Sequence, residues 1–328
     1  MHVLVIGAAG MIGRKLVAAL TGRKALAGRD IEQLTLADIV KPEAPAFSGK
    51  VDCLAIDLSV DGAAAGLVAT RPDMIFHLAA IVSGEAEADF EKGYRVNLDG
   101  TRELFEAIRL ESAKGRYCPK LVFTSSIAVF GEPLPAVIDD NHGLTPLTSY
   151  GTQKAIGELL LADYSRRGFF DGIGIRLPTI TIRPGKPNKA ASGFFSGILR
   201  EPLAGMEAVL PVSEDVRHWF ASPRAAVRFL VHAAELDTAP LGSRRSLTMP
   251  GLAATVGEEI EALRRVAGEK AVGLIRREPD ATIMKIVGGW PQSFDPRRAL
   301  ALGFEAEKSF DEIITAHVED ELGGRIPQ

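Results

Sequence analysis

Short apolar, β-branched runs alternate with longer stretches of helical periodicity over the first 180 positions of the chain. The runs are HVLVIG from His2, QLTLAD from Gln33, VDCLAID from Val51, MIFHLAA from Met74, KLVFTSS from Lys120 and GIGIRLP from Gly172. All are of strand length. Between them lie amphipathic segments such as DGTRELFEAIRLESA, Asp99 to Ala113, whose apolar positions recur at helical spacing. This alternation predicts an α/β protein with a doubly wound, mainly parallel sheet covered by helices on both faces. In IRPGKPNKAASG, Ile182 to Gly193, the rhythm breaks into Gly, Pro and Lys before resuming less regularly. The expected division is a first domain over 1–182 and a smaller region over 183–328, interleaved with elements that return to the sheet. No repeat of solenoid period and no low-complexity tract is visible.

Composition narrows the partners more than the fold. With 328 residues, 46% hydrophobic and 24% charged, the chain is long enough to bury a sizeable core. A net charge of −4 with interspersed signs offers no basic footprint for nucleic acid or an anionic membrane, which leaves a small molecule as the expected partner. MHVLVIG runs straight into apolar residues without a basic n-region or a small-residue cleavage site, so it reads as the first core strand. No run reaches the length of a membrane span. Cys53 and Cys118 have neither disulfide-framework nor metal-ligand spacing, so a reducing cytoplasm and no metal are expected.

The first strand ends in GAAGMIG, with Gly7, Gly10 and Gly13 spaced three apart and a helical pattern following. A strand-to-helix turn without side chains lets the N–H groups at the helix start, those of Met11 and Ile12 among them, approach a pyrophosphate. At the end of the second strand Asp38 supplies the acidic partner expected for an adenosine ribose. A carboxylate accepts from ribose hydroxyls and repels a 2′-phosphate, which favours NAD over NADP. Arg14, a cation beside the turn, pulls the other way.

A second pattern lies in SYGTQKAIGELL, Ser149 to Leu160, where Tyr150 and Lys154 stand four residues apart and hence on one helix face. An ammonium so placed can act on a phenol, although amphipathic helices produce the same spacing without chemistry.

Together, Gly7-x-x-Gly10-x-x-Gly13, FHLAA (Phe76 to Ala80), NLDGT (Asn97 to Thr101), FTSSIAVFG (Phe123 to Gly131) and PLTSYGTQK (Pro146 to Lys154) resemble the extended short-chain dehydrogenase/reductase family, in its NAD-dependent epimerase/dehydratase group. The resemblance covers roughly the first 180 residues and implies a Rossmann-like fold, bound NAD and a tyrosine base, Tyr150, for alcohol oxidation. A phenol titrates near pH 10, so service near pH 7 requires a depression of about 3 units, roughly 4 kcal/mol. A lysine ammonium and the nicotinium charge can supply it. The family pattern also has Lys154 hold the nicotinamide ribose and Ser126 hydrogen-bond the reacting oxygen.

Further positions follow from the same resemblance. Leu78, Ala79 and Ala80 would line the cofactor groove, while His77 reads as a packed strand histidine. Asp57 and Leu58 match an adenine-side pair, though a strand-end Asp equally serves as a helix cap. Asn97 either orders water or backbone near the site or makes a simple buried contact. Pro178 and Thr179 resemble the segment that touches the nicotinamide, and Thr179 is also a candidate substrate contact. A homodimer packed through the helix carrying Asn97 and the helix carrying Tyr150 is implied as well.

The substrate must be read from the second half. Arginine binds a carboxylate through two parallel charge-assisted bonds, which makes Arg183 and Arg217 the candidates for a hydroxy-acid carboxylate. Either could instead be a solvated or packing arginine. Trp219 could wall a pocket, and Asn188 and Ser192 could meet sugar-like hydroxyls. TSSIAVFG and IRLPTITIRPG are most like the branch that oxidises small polyhydroxy acids such as D-erythronate. Nucleotide-sugar epimerases and an L-threonine dehydrogenase-like enzyme share these motifs. Dehydratases fit less well, because Ile127 and Ala128 stand where that branch typically carries Asp-Glu. A non-catalytic NAD-binding regulator is disfavoured by the intact Ser126, Tyr150 and Lys154.

Overall fold

The structure is a computed structural model and describes residues 1–185 and 191–326. Two compact units are present, each assembled from several segments. Residues 1–129, 146–176 and 227–247 make the first, and residues 130–145, 177–226 and those from Thr248 onward the second. The chain therefore passes between units several times.

The six anticipated runs are all strands of one sheet. They are β1 (His2–Ile6), β2 (Gln33–Asp38), β3 (Lys50–Ala55), β4 (Met74–His77), β5 (Lys120–Ser126) and β6 (Asp171–Leu177). A short β7 (Ser246–Thr248) completes the order β3-β2-β1-β4-β5-β6-β7. β1 pairs in parallel with β2 and β4, β2 with β3, and β4 with β5. This is the doubly wound, Rossmann-like α/β arrangement that strand–helix alternation predicts. Leu4 and Val5 point to opposite faces of β1 and are both fully buried, which explains the unbroken apolar run Val3 to Ile6. Phe105, Ile108, Phe123 and Leu161 join the core that covers one face.

Ile6 lies opposite both Ala37 of β2 and His77 of β4. The residues that follow these partners, Gly7, Asp38 and Leu78, emerge together at the carboxyl edge where the strand order reverses, the usual ligand position of such sheets. Three helices matter for the site: α1 (Met11–Arg23), α2 (Gly100–Ala113) and α3 (Ser149–Arg166). A widened π turn, Tyr94–Asp99, precedes α2 and carries Asn97, which is buried.

The second unit has a three-stranded sheet with Arg217–Ala221 between Thr179–Ile180 and Leu252–Thr255. Thr179 pairs with Phe220 in parallel, and Trp219 with Ala253 antiparallel. Alternation puts His218 and Phe220 on one face and Arg217 and Trp219 on the other. Phe195, Ile198, Phe220, Ile260 and Ile313 belong to this unit's core. Among the described residues no helix is long and apolar enough to cross a membrane, and no His/Cys/Asp/Glu cluster could hold a metal ion.

Candidate active site

The glycine turn after β1 is built for contact. Gly7 has φ of +92°, and a Cβ there would stand 2.7 Å from the backbone nitrogen of Ala79. At Gly13 a Cβ would run into the carbonyl oxygen of Gly7. Helix α1 opens at Met11 with no side-chain cap and no acidic residue in its first turn, so neither a cap nor a carboxylate competes for its N-terminal N–H groups. Asp38 Oδ2 accepts the N–H of Ala9 at 2.9 Å, which brings its carboxylate against the turn. Ile39 and Val40, next in sequence, are 68% and 67% exposed and offer an apolar surface that the sequence motifs do not single out. Arg14 is exposed on the first turn of α1. A bare helix start, a close-packed turn and a carboxylate at its rim fit the diphosphate and ribose of a dinucleotide.

Ser126 ends β5, and Tyr150 and Lys154 lie in the first turns of α3. Thr148 caps that helix by accepting the N–H of Gly151 at 3.0 Å. Gly151 is required by proximity: a Cβ would collide with the carbonyl oxygen of Ala128, two residues beyond Ser126. This close approach joins the two motifs. The Tyr150 hydroxyl hydrogen-bonds Ser126, whose Oγ also accepts the N–H of Ala128 at 3.1 Å. Lys154 is buried, with its Nζ 5.7 Å from the Tyr150 ring centroid and 4.9 Å from that of Phe123. It donates to the Thr124 carbonyl at 2.8 Å.

The electrostatics differ from the simple expectation of a depressed phenol. Burial pushes Tyr150 up to about 12, and the hydrogen bond with Ser126 opposes the rise. Burial also pulls Lys154 down to about 8, while the Glu158 carboxylate one turn along α3 favours its charged form. Glu158 is a residue the motifs missed. It is buried, takes a bidentate bond from Arg176 at 2.7–3.1 Å and accepts from Ser125 Oγ at 2.5 Å. The available signal is an arginine inside the apolar strand GIGIRLP and a glutamate four residues after Lys154.

Asn97 orders backbone. Its Oδ1 accepts the Ile81 N–H at 2.9 Å, and its Nδ2 donates to the Ile81 carbonyl and to Gln153 Oε1, at 3.2 and 2.8 Å. Gln153 neighbours Lys154 and is fully buried, so Asn97 ties the segment after β4 to α3. His77 is packed against Phe123 and hydrogen-bonded to Thr101 at 2.9 Å, and burial lowers it to about 3, which makes it a neutral core residue. Leu78, Ala79 and Ala80 continue from β4 half-buried. Asp57 closes a local turn through the N–H and hydroxyl of Ser59, beside the buried Leu58, rather than capping the next helix, whose cap residue is Gly62.

The remaining candidates belong to the second unit. Pro178 is buried, and the half-buried Thr179 hydrogen-bonds His218 Nε2 at 2.7 Å. Arg183 follows Ile182, a buried β-branched residue at φ +56°, a strained conformation for that side chain. Its guanidinium has no ion-pair partner among the described residues, and burial with the nearby Arg200 disfavours its charge. Arg200 is committed to Glu201 and to the Arg183 carbonyl. Arg217 is engaged too, donating to the Ala253 carbonyl at 3.0 Å with Glu258 at 3.5 Å, on the sheet face opposite His218. Trp219 is core, bonded to the Met249 carbonyl and packed on Phe294. Ser192 precedes the helix Gly193–Leu203 without capping it, and Asn188 lies outside the described residues.

Comparison with known proteins agrees with these motifs. The family model described as NAD dependent epimerase/dehydratase family matches residues 3–240. The chain is 49% identical over 324 residues to a D-erythronate dehydrogenase of Cupriavidus necator, covering 98% of each chain. It is 43% identical to a D-erythronate dehydrogenase of Haemophilus influenzae, covering 98% of this chain and all of that one. A crystal structure described as a nucleoside-diphosphate-sugar epimerase from Agrobacterium tumefaciens superposes with a TM-score of 0.98 at 67% identity, over 100% of this chain and 96% of that one. The chain thus belongs to the NAD-dependent epimerase/dehydratase family.

Proposed function

We propose that the enzyme oxidises one hydroxyl of a small polyhydroxy acid with NAD, D-erythronate to 2-dehydro-D-erythronate being the best-supported reaction. The carrying observation is the joined set of Ser126, Tyr150 and Lys154, with the Tyr150 hydroxyl on Ser126 and the Lys154 ammonium under the same ring. Similarity over nearly the whole length to two D-erythronate dehydrogenases supports the substrate.

In this reading the hydroxyl of Ser126 holds the substrate oxygen while Tyr150 takes its proton. NAD, when bound, supplies the hydride acceptor and a positive charge that favours the phenolate. Gly7, Gly10 and Gly13 with the N-terminus of α1 hold the pyrophosphate, and Asp38 accepts from the adenosine ribose. Exposed Ile39 and Val40 give the adenine an apolar face. Lys154 holds the second ribose, and Glu158, itself neutralised by Arg176, helps keep it charged. Arg183, in the second unit, is a cation without a carboxylate partner of its own among the described residues, the property a carboxylate-binding residue needs. Arg217 serves instead to hold its sheet. Leu110 and Leu159 stand 50% and 66% exposed on α2 and α3 and support a homodimer built on those helices.

Likeness to the Agrobacterium protein, described as a nucleoside-diphosphate-sugar epimerase, favours a second reading in which this chain too is a nucleotide-sugar epimerase. The experiment that separates them follows absorbance of NADH with D-erythronate, related four- and five-carbon aldonic acids, L-threonine and UDP-sugars. Stoichiometric NADH from an aldonic acid is the expected result. Interconversion of a UDP-sugar without net NADH would replace the proposal by the epimerase, since an epimerase returns its hydride.

A further inference from the structure

Glu158 joins three elements of the first unit. It lies on α3 one turn after Lys154 and takes two parallel bonds from Arg176 of β6, Nη2 to Oε2 at 2.7 Å and Nε to Oε1 at 2.9 Å. Its Oε1 also accepts the Ser125 hydroxyl of β5 at 2.5 Å. The carboxylate and the guanidinium are largely buried, with side chains 4% and 13% exposed. Lys154 is not in ion-pair contact with Glu158, because its Nζ donates to the Thr124 carbonyl of β5 at 2.8 Å. The carboxylate reaches the ammonium along the shared helix face and favours its charged form against burial.

No other charge among the described residues acts on Lys154, and Arg176 itself does not act on it directly. Tyr150, on the same helix, has its hydroxyl on Ser126, and His77 of β4 is neutral. On the elements packed against α3, Glu85 pairs with Lys92, Glu106 pairs with Arg109, and Glu87 holds the N–H of Ser149. Arg95 and Asp99 of the π turn are exposed. Coulomb's law alone gives Arg176 a simple role: a second buried cation nearby should make Lys154 shed its proton. The pairing with Glu158 reverses that sign. An enclosed carboxylate stays ionised while a cation balances it, and without the guanidinium Glu158 keeps, among the described residues, the Ser125 hydroxyl alone and takes up a proton. A neutral Glu158 no longer favours the ammonium.

We infer that Arg176 is a positioning residue for Lys154: by holding Glu158 ionised it keeps the Lys154 ammonium charged, so that loss of the Arg176 cation leaves Lys154 less protonated rather than more. The inference rests on the proposed reading in giving that ammonium a task at the ribose and beside Tyr150, and it goes beyond it by naming what maintains the charge. Ser125 belongs to the same arrangement, since it stands between Thr124 and Ser126 on β5 and gives Glu158 its further bond.

The test reads the charge of Lys154 without turnover. In the full-length protein carrying carbon-13 at lysine Cε, the Lys154 signal is identified by its loss in Lys154→Met and followed with pH by NMR. Its midpoint should fall by about one pH unit or more in Glu158→Gln, and in the same direction in Arg176→Met. Arg176→Lys, which keeps a cation on the carboxylate, should recover most of the wild-type midpoint, as a merely structural role for the guanidinium would not require. Arg176→Met added to Glu158→Gln should cause no further fall, because no carboxylate is left to protonate. A raised midpoint in Arg176→Met would show plain repulsion between the two cations and overturn the inference, and an unchanged midpoint would overturn it as well. Should Arg176→Met not fold, Arg176→Gln removes the charge with less loss of packing and takes its place. The carboxyl signal of Glu158 in the wild type, assigned through Glu158→Gln, must also be that of an ionised group at neutral pH, and a protonated one sinks the inference without any Arg176 variant. If the wild type oxidises no aldonic acid, the functional reading fails, and these titrations still decide the inference.

Discussion

The chemistry of the first unit is written mainly in short stretches of chain, whereas that of the second is written across long ones. Tyr150 and Lys154 are one helical turn apart, Thr148 caps their helix from within the same motif, and Gly7 to Gly13 form one turn. In the second unit, Thr179 reaches His218 39 positions away, and His218 reaches Pro291 73 positions away. Ser222 bonds Glu307 at a separation of 85. Local constellations survive as recognisable patterns because helix and turn geometry impose their spacing. A pair brought together by sheet register has no such spacing, so residues such as His218 and Glu307 carry no signature in the sequence.

The buried Lys154 and the half-buried Arg183 sharpen the contrast. Lys154 has Glu158 on its own helix to favour its charge. Arg183 has Arg200 nearby instead, and burial and that neighbour both disfavour its charge. The first cation has a carboxylate on its own helix that opposes the effect of burial, and the second has no ion-pair partner among the described residues.

The largest expected effect tests the local constellation. Tyr150→Phe should lower kcat by about 10²- to 10⁴-fold and leave NAD affinity nearly intact, because it deletes one oxygen and keeps the ring. Lys154→Met should damage turnover and NAD binding together. Near-wild-type kcat in Tyr150→Phe, with an unaltered pH profile, would reduce the motif to a helix face.

Next comes the long-range side of the comparison. Arg183→Met should raise KM for the hydroxy acid by roughly 10- to 100-fold, as loss of a charge-assisted contact does, with a smaller change in kcat. The matching Arg217→Met should act on thermal stability rather than KM, since its partners are Ala253 and Glu258. A reversed outcome for the two arginines would show that strand position, rather than pairing, is the better guide.

A smaller effect is expected at the ribose. Asp38→Asn should weaken NAD by about tenfold and NADP less, read by fluorescence titration of both cofactors. An unchanged preference would remove Asp38 from ribose recognition.

The smallest effect concerns stability and pH. Lys154 titrates near 8 when folded, below the ordinary lysine value of about 10.4. Between these values the unfolded chain binds the extra proton, so the stability of the ligand-free wild type should rise with pH relative to Lys154→Met, by at most about 1.4 kcal/mol per pH unit. Below pH 8 the difference should level off. Urea melts of both proteins at pH 7.5, 8.5 and 9.5 measure it, and a parallel pair of curves would mean that Lys154 is not desolvated.

The sequence by itself determined the sheet and the first unit's motifs. Five of the six runs became largely buried strands, and burial on two faces demands a composition that little else shares, whereas β3 at the sheet edge is only partly buried. The glycines, and Tyr150 with Lys154, stood out as candidates because turn and helix geometry fix their spacing, and Asp38 and Ser126 stood out as the last residues of strand runs. Tertiary structure alone decided the rest. β7 was invisible because SLT is three residues long and is held by its position at the sheet edge. Arg183 and Arg217 looked alike as residues in sequence, and they separated only when Glu258 and the Ala253 carbonyl arrived beside one and Arg200 beside the other. The protonation states of Lys154 and His218 likewise depend on burial, which no local pattern encodes.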